Sequence, residues 1–383
     1  MDKPTVQDIF HRFYPAYLDQ YSPSPVQAKV AHNIMNCKTG AYGANVCVCE
    51  DCGFVQIHYN SCRNRCCPMC QAVPKEMWMD ARREDVLDAP YFHLVFTVPD
   101  ILNPVIYSNQ RLLYDALYHA ASSTISELTA DPKHLGAKVG YICILHTWGS
   151  EMNFHPHIHT ILLGGGLASN NQWKDNGENF FLPIRVISKM FRGKYLEELK
   201  RLWEEDKLVF HGTAEKFRNH YTFKELLDSC YGMDWIPHCK KTFNGAQTVI
   251  KYLGKYTHRI AVSNHRIVRM NDDTVTFLVK DYRNEGQWKE LTISGVEFVR
   301  RFLMHVPPRR FVRIRHYGLL CSRTKSQKLT LCRNLLGCKK YLSKLRDMEM
   351  PEILEHLYGI KVCVCKACGG HLGKPQMRMP LRC

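Results

Sequence analysis

No apolar run in the chain approaches the roughly 18 residues a membrane-spanning helix needs, so an integral helical membrane protein is excluded. Met1-Asp2-Lys3-Pro4 does not open on the charged-then-apolar pattern of a secretory leader, and a cytosolic protein is expected. No G-x-x-x-x-G-K-[ST] loop is present, which removes the usual nucleotide-driven motor. Low-complexity segments and internal repeats are missing as well. Acidic side chains are few: 36 Asp and Glu face 52 Lys and Arg, a net charge of +16. Such an imbalance points to a polyanionic partner. The cations lie among cysteines and aromatics rather than along one amphipathic helix, which disfavours a membrane surface and leaves DNA or RNA.

Cysteine, by contrast, is abundant, with eighteen in 383 residues. Disulfides do not persist in a reducing cytosol, and C-x-x-C units at both ends argue for zinc. Cys49-x-x-Cys52 and Cys67-x-x-Cys70 flank a fourteen-residue spacer. That is close to zinc-ribbon spacing and predicts four thiolates around one tetrahedral ion. Cys37, Cys47, Cys62, Cys66 and His58 remain, enough for a second ion, with Cys62 and Cys66 as candidate ligands; the other reading is buried thiols. Near the end, Cys365-x-x-Cys368 is the core of another knuckle. Its remaining ligands are open among Cys363, His371, Cys383, Cys332 and Cys338.

The chain is organised around Phe154-His155-Pro156-His157-Ile158-His159-Thr160-Ile161-Leu162-Leu163. This apolar run predicts a β-strand closed by Gly164-Gly165-Gly166. Alternation puts His155, His157 and His159 on one face and Ile158 on the other. Three imidazoles there add little packing, and neutral imidazole is the commonest metal ligand. His157 and His159 are the principal candidate ligands, with His155 ahead of Glu151 as the third. A second stretch, Thr248 to Arg259, reads as a helix with Tyr252 and Tyr256 one turn apart on one face. Lys251, Lys255, His258 and Arg259 surround the pair, which favours a phosphate-facing site over a core stripe.

Together these residues carry a resemblance. His157-Ile158-His159 resembles the His-hydrophobe-His metal motif of HUH endonucleases, and Tyr252-x-x-Lys255-Tyr256 resembles their nucleophile helix in its two-tyrosine form. The string from His146-Thr147-Trp148-Gly149 through the His strand to Gly166 is similar to the rolling-circle insertion-sequence transposases. So are Tyr256 to Asn264 and the N-terminal Ser61-Cys62-Arg63-Asn64-Arg65-Cys66-Cys67-Pro68-Met69-Cys70-Gln71. The likeness runs from about residue 20 to about residue 340; the family usually has His where this chain has Cys66. It implies Mg²⁺ or Mn²⁺ on the histidines, and a 5′-phosphotyrosine intermediate formed on single-stranded DNA at element ends and target. Tyr252 is expected to make the first cleavage and Lys255 to stabilise its phenolate. It also implies a zinc domain that binds DNA, and host replication or helicase functions to separate strands. A plasmid replication initiator or relaxase would share this chemistry, and a non-catalytic zinc-dependent DNA-binding protein would keep the cysteines and cations alone.

The fold class that follows is α+β. An antiparallel-sheet HUH-type catalytic domain over 89–320, with an insertion at about 165–245, follows a helical and zinc-binding domain over 1–88. A basic region with the last knuckle occupies 321–383. Within it and just before, Arg300, Arg301, Arg309, Arg310, Arg313, Arg315, Arg323, Lys325 and Lys328 run without an intervening acid. Phe302, Phe311 and Tyr317 interleave. Cations for phosphate and rings for bases suit a single-strand groove, and Arg309, Arg310, Arg313 and Arg315 are the candidate DNA contacts.

Overall fold

The computed structural model describes residues 3–176, 182–235, 237–243, 249, 254, 261–281 and 284–378. Two capped helices begin it, α1 (Val6–Leu18) and α2 (Pro25–Met35). In α1 the Thr5 side chain accepts from Asp8 N and Asp8 accepts from Thr5 N, the reciprocal cap that satisfies two free N–H groups. Strands β1 (Ala44–Val48) and β2 (Val55–Tyr59) follow, then α3 (Ala72–Arg83). The central part runs β3 (Tyr91–Thr97), α4 (Asn103–Ser108), α5 (Gln110–Ala130), β4 (Lys138–Trp148), β5 (Phe154–Leu167) and β6 (Trp173–Asp175). Next come α6 (Ile184–Glu204), α7 (His220–Gly232) and β7 (His238–Phe243). The chain ends with β8 (Ile267–Met270), β9 (Thr274–Asp281), β10 (Gln287–Ser294), α8 (Gly295–Met304), β11 (Ile314–Gly318), α9 (Lys325–Leu336), α10 (Met350–Tyr358) and β12 (Gln376–Arg378).

A six-stranded antiparallel sheet is the scaffold, ordered β11-β4-β5-β3-β7 with β6 added on β5. Both its faces are covered, which is why β4 is buried at ten successive positions rather than at alternate ones. Tyr141, Cys143 and Leu145 of β4 and Ile158 and Leu162 of β5 join the core formed with α5, α6 and α7. Ile142, Ile144, Ile161 and Leu163 point the other way, into a cluster with Leu87, Val249, Leu329 and the flanking Trp78 and Met79 of α3. The mixed helix and antiparallel-sheet architecture is the α+β fold expected.

The second body of packing joins distant sequence. α1 and α2 pack with α8 and the β8–β9–β10 sheet around Phe10, Phe13, Phe277 and Phe298, and the same core takes in Cys67, Trp148 and Met152. Two more distant segments meet where β12 pairs with β1, making a three-stranded sheet β12-β1-β2.

One strand differs from expectation. β5 does not stop at Gly164 but runs through all three glycines to Leu167. They sit where neighbours come too close for a side chain. A Cβ on Gly164 would lie 2.9 Å from both the Phe92 ring and the Pro90 carbonyl oxygen. Asn109 separates α4 from α5.

Candidate metal centres and nucleic-acid interface

The imidazole cluster arises from strand register. β4 and β5 form a hairpin, and His146 sits directly opposite His157. Paired residues of antiparallel strands share a face, so His146 joins His157 and His159. One ring nitrogen from each lies within 4.8 Å of the others. His146 and His159 are buried and His157 is partly so.

Hydrogen bonds orient the rings. His157 Nδ1 lies 2.7 Å from the His155 carbonyl oxygen. Only an N–H can face a carbonyl, so Nδ1 carries the proton and Nε2 keeps a lone pair. His159 Nδ1 lies 2.9 Å from Nε2 of buried His93. Burial, then the charges of His238 and His157, push His93 down to about 3, so it stays neutral and can accept from His159. The Nε2 atoms of His157 and His159 stand 3.1 Å apart. Two nitrogens about 2.1 Å from one ion and at right angles would be about 3.0 Å apart. The donor set therefore fits a divalent ion, with His93 as the outer partner that orients a ligand.

His155, expected as third ligand, is not in this cluster. Its Nδ1 faces Asp100 Oδ1 at 3.2 Å, at the partly exposed start of β5. Glu151, the other candidate, lies in the hairpin turn, where its carbonyl accepts from Arg301. The missed residue is His146. Counting back from the turn at Gly149–Asn153 was the signal that could have found it.

The tyrosine segment falls mostly outside the described residues, and Tyr252, Lys255 and Tyr256 are among those left out. Val249, three positions before Tyr252, is buried with Ile161 and Leu163. Those residues follow His159 at spacings of two and four, so Val249 packs on the imidazole-bearing face.

Among the described residues the cysteines form two four-sulfur clusters, and neither is the ribbon expected from spacing. Cys37, Cys62, Cys67 and Cys70 make one; Cys49, Cys52, Cys365 and Cys368 make the other. Measured Sγ separations are 3.8 Å for Cys62–Cys70, 3.5 Å for Cys49–Cys368 and 3.7 Å for Cys52–Cys365. A tetrahedron with Zn–S bonds of about 2.3 Å has edges of about 3.8 Å. Thiol hydrogen bonds from Cys62, then Cys67, lower Cys70, while the same contacts raise Cys67, so the four sulfurs compete for protons that a zinc ion would displace. The two N-terminal knuckles do not share an ion because β1 and β2 carry Cys49 and Cys52 toward β12 and the chain's end. Cys66 belongs to neither cluster. It is buried beside Trp148, His305 and Arg313, and burial raises its thiol. Cys363 is exposed, Cys332 is buried in the core under the sheet, and His371 faces Glu50; Cys383 lies outside the described residues.

The basic tract is partly spent within the protein. Glu297 takes Arg300 and Arg301, and Asp85 takes Lys325. Arg315 pairs with Asp115 and lies 3.9 Å over the Tyr118 ring, on the α5 side of the sheet. Arg313 stands over Trp148. Distant acids fill what reads in sequence as an acid-free stretch. Arg309 and Arg310 remain exposed.

Comparison with known proteins adds the following. A family model described as "Putative transposase" matches residues 140–328, and one described as "Transposase zinc-binding domain" matches residues 9–98. The chain is 40% identical over 369 residues to "Putative transposase y4qJ" of Sinorhizobium fredii (strain NBRC 101917 / NGR234), covering 95% of this chain and 93% of that protein. It is 30% identical over 309 residues to "Transposase for insertion sequence element IS801" of Pseudomonas savastanoi pv. phaseolicola, covering 79% of this chain and 72% of that protein. Among solved structures, the conjugative relaxase TrwC with oriT DNA aligns in a metal-free form at 16% identity, covering 29% of this chain and 44% of that chain, with a TM-score of 0.24. A copper-bound form aligns at 12% identity, covering 67% and 99%, with a TM-score of 0.26. At such scores the likeness says nothing of shape or function.

Proposed function

Because the chain belongs to the insertion-sequence transposases that carry an N-terminal zinc-binding domain, we propose that it moves DNA by cutting and rejoining single strands through a 5′-phosphotyrosine. The observation that carries this reading is the convergence of His146, His157 and His159 on one buried point of the central sheet. When bound there, Mg²⁺ or Mn²⁺ polarises the scissile phosphate and offsets the charge that develops on it.

The chain's own residues do the rest. Hydrogen bonds from His157 to the His155 carbonyl and between His159 and His93 hold the ligating rings in one tautomer, so no reorganisation is needed when the substrate arrives. Tyr252 supplies the attacking oxygen, and Lys255 lowers the cost of its phenolate. A P–O bond forms to tyrosine as the P–O3′ bond breaks. The phenolic proton is lost, and the leaving oxygen is protonated to a free 3′-OH. One ester replaces another, so rejoining needs no nucleotide. Tyr256 accepts the second strand while Tyr252 holds the first. Exposed Arg309 and Arg310 contact the DNA backbone, and the two zinc ions are structural. Strand separation falls to supercoiling or to host replication proteins.

The test is a denaturing gel with end-labelled single-stranded DNA carrying the element's terminus, in Mn²⁺, Mg²⁺ or EDTA. The expected result is a metal-dependent covalent adduct, abolished by Tyr252→Phe/Tyr256→Phe together. Tight binding without any adduct across several candidate ends would favour a DNA-binding protein without catalysis. Normal cleavage by Tyr252→Phe alongside loss in Tyr256→Phe would reverse the order of the two tyrosines.

A further inference from the structure

Arg266 lies where three stretches of chain meet. It is 4% exposed. Nε donates to the Leu278 carbonyl of β9 at 2.7 Å. Nη1 donates to the Ala261 carbonyl at 3.3 Å and Nη2 to the Ser150 carbonyl at 2.6 Å. Phe277 and Trp288 flank the guanidinium, their ring centroids 5.8 and 5.9 Å away. Three carbonyls in three directions need a planar fork of donors, which Arg has and Lys lacks.

What those carbonyls belong to gives the contact its meaning. Ser150 lies in the turn that leads into β5 and thus sets the pitch of His157 and His159. Ala261 is five residues beyond Tyr256, the first described residue after the tyrosine segment. The same turn is held elsewhere too. Lys280 N donates to Ser150 Oγ, Arg301 to the Glu151 carbonyl at 2.9 Å, and His305 Nε2 to the Met152 carbonyl at 3.0 Å. Next to Ala261, Asn264 accepts from Val6 N at 3.1 Å and donates to Met69 Sδ at 2.9 Å, inside the Cys67–Cys70 loop. Arg266 touches both Ala261, just after the tyrosine segment, and the histidine turn.

We infer that Arg266 is a positioning residue for strand cleavage: it ties Ala261, which follows the tyrosine segment in sequence, to the turn that leads into the metal-binding strand. This rests on the tyrosine-and-metal reading proposed above. Nucleophile and metal come from separate stretches of chain, and an error of about 1 Å in their relative placement costs about a hundredfold in rate. Removal of Arg266 is therefore expected to lower the rate and leave binding in place.

The full chain is made as Arg266→Ala and Arg266→Lys. Three quantities are read: the rate of adduct formation, the affinity for single-stranded DNA, and backbone hydrogen exchange over 147–153 and 249–262. In Arg266→Ala the rate is expected to fall about a hundredfold with DNA affinity held, and exchange to rise in both segments together. Guanidinium added in solution restores part of the rate, and urea, neutral and of similar shape, does not. Arg266→Lys, which keeps the charge without the fork, falls between. An unchanged rate with unchanged exchange in either folded variant overturns the inference. If Arg266→Ala does not fold, Arg266→Lys decides it, since a wild-type rate there overturns the need for a fork. Should the wild-type protein itself form no adduct, the proposed function fails, and the exchange experiment still rules on the brace.

Discussion

His93 Nε2 and His159 Nδ1 lie 2.9 Å apart across the β3–β5 pair, both rings buried and nearly parallel. A metal ligand held this way by a neutral partner loses orientation when the partner is removed. His93→Ala is expected to weaken Mn²⁺ binding by about 10- to 100-fold, and His146→Ala by at least as much. His155→Ala, whose ring faces Asp100, leaves the affinity nearly unchanged. Titration followed by Mn²⁺ paramagnetic resonance reads all three. Equal losses in His155→Ala and His146→Ala would show that the third ligand has been misassigned.

The two four-cysteine clusters among the described residues predict two zinc ions per chain. Elemental analysis of Cys368→Ser is expected to give one, and of Cys66→Ser two, because Cys66 sits beside Arg313 and outside both clusters. Apparent zinc binding to small folded sites is worth about 10–16 kcal/mol. Cys368→Ser should therefore also free the last residues from β1 and expose the 363–378 segment to protease. Two zinc ions in Cys368→Ser would sink this assignment.

Gly165 lies where β6 crosses closely over β5. A Cβ there would stand 2.8 Å from the Lys174 carbonyl oxygen and closer still to the Trp173 indole. Gly165→Ala is expected to cost about 1–3 kcal/mol, the usual penalty for overfilling a packed site. Thermal melts check this. A variant as stable as the parent would mean that β6 can lift off the sheet without cost.

Glu297 carries a pH dependence that can be worked out. Hydrogen bonds from Arg300, then Arg301, outweigh its partial burial and lower it from an ordinary 4.5 to about 2. Its folded pKa lies below its unfolded one, so the stability it contributes is complete above about pH 4.5 and is lost as pH falls toward 2. Because the pair is partly solvated, about 1 kcal/mol is a fair magnitude. Glu297→Gln should cost that amount at pH 7 and nothing near pH 2, as read from denaturant midpoints across the range. A penalty that persists at pH 2 would point to lost packing rather than charge.

Local pattern made much of this legible. Alternation put His157 and His159 on one face of β5, and the C-x-x-C units marked cysteines that do cluster. Registers and pairings across distance were harder. Cys49 and Cys52 could be recognised as half of a zinc site, but their partners are set by β1 pairing with β12, which no spacing in the sequence encodes. His146 was visible as part of a string and acquired its role only through the hairpin register. The cations of 300–328 looked unpaired because Asp85 and Asp115 that neutralise two of them come from α3's end and from α5, some two hundred residues earlier. Arg266 gave no local signal at all; its role depends on three carbonyls from three places.

The Cys49–Cys368 contact joins positions 319 residues apart. At about 5–20 residues per second of synthesis, Cys49 emerges from the ribosome roughly 15–60 s before its partner. Through that interval the first half of the tetrathiolate is an open, metal-seeking pair. Each chain can close this site in cis only after Cys368 has emerged, by which point the central sheet has had time to fold. Chains released early would carry a half-site able to capture metal or thiols from other molecules.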